Sequence, residues 1–202
     1  MTFKAIGSRF SRLAFWTLAV LLAAALPAAA HPGHGALSGF VAGVQHPLSG
    51  MDHLLAMIAV GLWAGLCGER REWLWPATFV ASMVAGGAIA MFAAITIPVE
   101  PAVLTSVLVL GFATAFRLRV TLALGGMLIA AFGLAHGYAH GTEMPHTADG
   151  LDFAAGFTIT TAMLHMVGVL AAATLRQLRL DFVARFAGGG IVIAGIGLVL
   201  GV

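Results

Sequence analysis

The chain has 202 residues, 60% of them hydrophobic and only 9% charged, with a mean hydropathy of +1.01; a soluble domain of that composition could not keep its surface wet. At about 20 apolar residues per span, the length holds about six or seven membrane helices with short loops and leaves no room for an extramembrane catalytic domain. The formal charge of +2 does not mark a nucleic-acid binder, because three of the ten basic residues lie in a segment expected to be removed.

Those three, Lys4, Arg9 and Arg12, stand before an apolar run over 13–26 and then Pro27-Ala28-Ala29-Ala30, the layout of a secretory signal peptide cleaved after Ala30. The run is of signal length rather than span length; an uncleaved signal anchor is the competing reading. Residues 1–30 are thus expected to be a signal peptide and 31–202 a single membrane domain, in which seven basic residues face eight acidic ones for a formal charge of −1. The expected surroundings are a lipid bilayer, with no nucleic acid. Cys67 is the only cysteine, so no intrachain disulfide can form.

Apolar segments follow at about 48–68, 74–97, 101–116, 119–137, 151–174 and 185–202. They predict an all-α fold, a polytopic bundle of about six transmembrane helices. With the mature N-terminus outside, the first, third and fifth loops face the cytoplasm. They contain Arg70, Arg71, Arg117, Arg119, Arg176, Arg179 and Arg185, every basic residue after position 30, as the positive-inside rule requires. The outward loops hold only acids and histidines: Glu100, Glu143, Asp149, Asp152, His140 and His146. The expected location is the bacterial cytoplasmic membrane. Glycines recur at four-residue spacing in Gly39/Gly43, Gly61/Gly65, Gly133/Gly137/Gly141 and Gly197/Gly201, which predicts close helix packing.

Seven of the eight histidines map to the outer side. An imidazole in a membrane needs a partner or a wet cavity, and by default marks a functional site. Asp52 is the sharper signal: a carboxylate within a span costs about 2.5–3.5 kcal/mol, and no Lys or Arg shares its half of the protein, so a cation from outside is its natural counter-charge. The bland alternative is that Asp52 caps its helix. His136 and His140 are four apart, about 6 Å along one helix face, with Glu143 continuing the stripe. His46 and His53 would be about 10 Å apart on a straight helix and could share an ion only if the chain breaks at Pro47 to Gly50. A short helix over 39–45 that dips into the bundle and breaks at His46-Pro47 would do this. Imidazoles with carboxylates and no usable thiol suit Ni²⁺, Co²⁺, Zn²⁺ or Cu²⁺ rather than Mg²⁺ or Ca²⁺. His165 lies near mid-membrane, either as a second station on a path inward or as a histidine bonded to a neighbouring helix. His31 and His34 would open the mature chain, with the His31 α-amine and imidazole forming a chelate for capture.

The elements His46-Pro47-x-x-Gly50-x-Asp52-His53-x-x-Ala56-Met57 and His136-Gly137-x-Ala139-His140-Gly141-x-Glu143, in that order, together with His165, closely resemble the HupE/UreJ family of hydrogenase and urease accessory membrane proteins. The resemblance covers essentially the whole mature chain. It implies a nickel or cobalt permease supplying metallocentre assembly, with His46, Asp52, His53, His136, His140 and Glu143 in the metal-binding role.

The expected activity is therefore uptake of Ni²⁺ or Co²⁺ as transported ion, with no prosthetic group and no catalysis. A divalent ion moving inward gains about 4.6 kcal/mol per 100 mV of inside-negative potential, so no ATPase is needed, and no phosphate-binding Gly-x-x-x-x-Gly-Lys loop is present. Cytoplasmic nickel chaperones and a homo-oligomer are compatible partners. Two other classes use the same residue types. An intramembrane metal enzyme or sensor would need an open coordination position, and His-Glu-x-x-His is absent. A haem carrier would need His53 or His136 facing His165 at equal depth.

Overall fold

The computed structural model describes residues 39–92, 97–143 and 148–202, without the side chains at 143, 148 and 149. The expected signal peptide, His31, His34 and His146 lie outside these residues. Every element among them is helical: α1 (Gly39–Ser49), α2 (Met51–Cys67), α3 (Arg71–Phe92), α4 (Glu100–Ala115), α5 (Leu122–Glu143), α6 (Ala148–Gln177) and α7 (Asp181–Leu200).

Four of these, α3, α5, α6 and α7, are long and apolar enough to cross a membrane. The first expected span, 48–68, is α2, and with the short helix α1 before it forms a pair bent by 80°. Gly50 caps α2 at the break with φ −97° and ψ 117°, an extended conformation that ends one helix and starts the next. The break is therefore at Gly50 and not at His46-Pro47. Pro47 is carried inside the last turn of α1, where its missing N–H forfeits one helical bond, and Ser49 Oγ donates to the His46 carbonyl at 2.7 Å. α4 has 16 residues, about 24 Å of helix, shorter than the hydrocarbon core.

α2 is the centre of the bundle. Its stretch from Ala59 to Leu66 is buried without interruption, which is why the sequence there is apolar on all sides instead of amphipathic. Outward-facing Phe92, Met127, Leu151 and Ile193 are all exposed, as a lipid-facing surface requires. Glycine decides how close the helices come. A Cβ at Gly61 would lie 2.2 Å from the His165 carbonyl oxygen, and one at Gly137 would lie 1.8 Å from that of Met83, so α2 meets α6 and α5 meets α3 backbone to backbone. Gly43 does the same between α1 and Phe153 of α6. Gly197 and Gly201 depart from the expectation: Gly197 approaches only the Val202 carbonyl oxygen, and Gly201, at φ +73°, is the left-handed cap of α7. Gly86, Gly156, Gly168 and Gly188 also meet neighbouring backbones within 3 Å; their partners lie on other helices, so spacing within one helix does not reveal them.

The loops 68–70, 116–121 and 178–180 gather at one end. Arg117 pairs with Asp181 at 2.8 Å and Arg176 with Glu72 at 2.7 Å. Arg71, Arg117 and Arg185 donate to the carbonyls of Val120, Leu66 and Ala115, the last two at helix ends where carbonyls lack intrahelical partners. Just inside this collar, Trp63 and Trp75 lie 4.5 Å apart, their indole N–H groups donating to the Leu118 and Leu122 carbonyls at 2.9 and 3.0 Å. All seven arginines of the membrane domain belong to this end or its loops, so the sidedness read from sequence is physical, whatever compartment each side faces.

Candidate metal centre

The opposite end of the bundle is built from the α1–α2 break, the start of α4 and the last turns of α5. The break lets Asp52 and His53 fold back together. Asp52 Oδ1 accepts the His53 backbone N–H at 2.8 Å and lies 2.7 Å from His53 Nδ1. The carboxylate thus accepts one of the free donors of the first turn and orients the imidazole; the N-cap itself is Gly50, with no side-chain cap. Gly50 leaves room for it: an added Cβ would stand 2.9 Å from Asp52 Oδ1 and 3.1 Å from His53 Nδ1, so these side chains would have to shift.

α5 contributes His136 and His140 on one face, as their four-residue spacing predicts. The His53 ring lies 4.8 Å from that of His136 and 4.2 Å from that of His140, and the His46 ring lies 4.6 Å from that of His140. The 80° break therefore brings His46 and His53, distant on a straight helix, onto the same histidine. His136 is fully buried, with its Nε2 2.9 Å from Ser106 Oγ on α4. Phe157 of α6 closes over His140 at 4.5 Å. The backbone of Glu143 ends α5, one turn beyond His140.

The rings meet edge to face, with interplanar angles of 85°, 85° and 63°. Among the described residues no three His, Cys, Asp or Glu side chains are arranged to hold a metal ion; sharing an ion requires the rings to turn and converge their nitrogens. A cavity of about 250 Å³ opens onto Asp52, His53, His140, Thr142 and Glu100. Glu100, one of the acids of the outward loops, stands in the first turn of α4; its place on this cavity follows from tertiary packing that the sequence does not show. Ser106 was likewise missed, one polar residue within an apolar helix.

His165 is 1% exposed and stands apart from the cluster. The buried Phe79 ring lies between the two, 5.4 Å from His136 and 4.9 Å from His165. Met163 is exposed and turned outward, away from any shared site with His165. Cys67 is at the arginine end, its Sγ 3.6 Å from the Leu118 carbonyl oxygen, remote from the histidines.

A family model described as HupE / UreJ protein matches residues 18–198. The chain belongs to the HupE/UreJ family. Protein HupE of Rhizobium leguminosarum bv. viciae is 36% identical over 182 residues, covering 90% of this chain and 95% of that protein. No solved structure matches. Membership makes this HupE/UreJ chain a multi-pass membrane accessory protein of the hydrogenase and urease systems, and both of its histidine elements fall within the matched residues.

Proposed function

We propose that this protein imports Ni²⁺ or Co²⁺ across the cytoplasmic membrane for metalloenzyme assembly, with the histidine end outside and the arginine end in the cytoplasm. The observation that carries the reading is the gathering of His46, His53, His136 and His140, with Asp52, from three helices at the end opposite the arginines. Such a set is costly to bury without a ligand and has the donor chemistry of a borderline divalent ion. His31 and His34 capture the ion, the cluster with Asp52 and Glu143 strips its water, and His165 receives it beyond Phe79. Asp52 acts chiefly by holding His53, with its second oxygen left for the ion. The membrane potential supplies the drive, about 4.6 kcal/mol per 100 mV for a divalent ion. On this reading the Trp63–Trp75 contact at the arginine end parts for release.

The test is uptake of radiolabelled Ni²⁺ by intact cells expressing the chain, with Co²⁺ and Zn²⁺ as competitors. Accumulation that collapses with the membrane potential and is competed by Co²⁺ is expected. Accumulation no greater than in cells lacking the protein, for Ni²⁺ and Co²⁺ alike, would refute the reading.

A further inference from the structure

Ser106 is fully buried on α4 and touches two groups. Its Oγ lies 2.6 Å from the Val103 carbonyl oxygen and 2.9 Å from His136 Nε2. A hydroxyl has one hydrogen to give, and a carbonyl oxygen can only accept. The hydrogen of Ser106 therefore points to Val103, and the bond to the ring is made by a hydrogen on His136 Nε2. In a neutral imidazole that leaves Nδ1 bare. His136 Nδ1 is buried and has no hydrogen-bond partner among the described residues.

His53 is arranged in the opposite sense. Its Nδ1 faces the Asp52 carboxylate at 2.7 Å, which can only accept, so the ring hydrogen is on Nδ1 and the bare nitrogen is Nε2. That atom too is buried without a hydrogen-bond partner among the described residues. The two rings, 4.8 Å apart, are thus held as opposite tautomers by different supports: a carboxylate from the next residue for one, a serine from another helix for the other. The reverse tautomer of His136 would break the bond from Ser106 to Val103 and leave a buried N–H with no acceptor.

We propose that Ser106 is a positioning residue, which fixes His136 as the Nε2–H tautomer and so presents Nδ1 to the transported ion. The ligand half of this statement rests on the reading of the cluster as a Ni²⁺ or Co²⁺ site; the tautomer half does not. A supporting partner that fixes a histidine ligand is worth about 10- to 100-fold in metal affinity.

Nitrogen-15 NMR of the full chain, histidine-labelled and metal-free in lipid nanodiscs, reads the tautomer directly, with the His136 signals assigned by their loss in His136→Gln. The expected result is a protonated Nε2 and bare Nδ1, a mixture of tautomers in Ser106→Ala, and recovery in Ser106→Thr, which keeps the hydroxyl. In parallel, Co²⁺ affinity, read from its visible absorption, falls about 10- to 100-fold in Ser106→Ala and recovers in Ser106→Thr. A wild-type spectrum with hydrogen on Nδ1 overturns the proposal, and needs no variant to fold. So does a Co²⁺ affinity unmoved in Ser106→Ala. If the tautomer behaves as stated but the wild type binds neither Co²⁺ nor Ni²⁺, the metal reading fails and the ligand role of Nδ1 with it.

Discussion

The arginine end and the histidine end of the bundle are both polar and both partly buried, but their polar groups are satisfied differently. At the arginine end, Arg117 and Arg176 each combine a carboxylate with a backbone carbonyl, and both tryptophan N–H groups have acceptors. These groups are occupied in holding loops together. At the histidine end, bonds orient the rings and yet leave His53 Nε2 and His136 Nδ1 buried without hydrogen-bond partners. Buried polar groups are ordinarily satisfied; Arg71 Nε is also without a hydrogen-bond partner among the described residues, but its guanidinium is anchored through its other nitrogens by Glu69 and the Val120 carbonyl, so what sets the histidine end apart is bare imidazole nitrogens gathered in one cluster.

Replacing residues on each side sharpens that contrast. His53→Ala and His140→Ala are expected to abolish Ni²⁺ uptake at unchanged membrane abundance, a larger effect than the about 10- to 100-fold loss typical of a supporting residue. Asp52→Asn, which keeps an acceptor for His53 but loses the charge, should fall within that supporting range, measured as uptake at matched abundance. Arg176→Ala is expected to do the reverse. It removes the bond to Glu72 and so lowers stability by about 1.5–3 kcal/mol, seen as a lower Tm, while the KM of the surviving protein is unchanged. Loss of uptake affinity in Arg176→Ala, or loss of Tm without loss of uptake in His53→Ala, would break the distinction.

Gly137→Ala tests the packing that carries the site. A Cβ there would lie 1.8 Å from the Met83 carbonyl oxygen, so α3 and α5 must move apart at about 1–3 kcal/mol, read as reduced Tm together with weaker uptake. The smallest expected effect is Glu100→Gln, on the cavity wall, a few-fold rise in KM through lost attraction for the cation, with the maximal rate unchanged.

Much of this was legible in the chain. Segment lengths and the arginine distribution gave the helices and their common end, because hydropathy and loop charge are local properties. The four-residue spacing of His136 and His140 placed both on one face, as observed. The break was also legible, over Pro47 to Gly50, but not its exact residue: Pro47 is the stronger helix breaker, whereas Gly50 makes the turn and Pro47 stays helical. Ser106, Glu100 and Phe79 were not legible as site residues. Each reaches the histidines from another helix or loop, and a lone serine, a first-turn glutamate and a phenylalanine in an apolar run have ordinary local explanations. The edge-to-face packing of the rings is likewise tertiary, because it sets side chains of α1 and α2 against those of α5.

The most direct test of the account is X-ray absorption spectroscopy of the purified, Ni²⁺-loaded protein, beside His53→Ala and His140→Ala. The account predicts a coordination shell containing imidazole nitrogens and no sulfur, which each substitution depletes. A shell containing the Cys67 sulfur, or one of water oxygens that neither substitution changes, would contradict it.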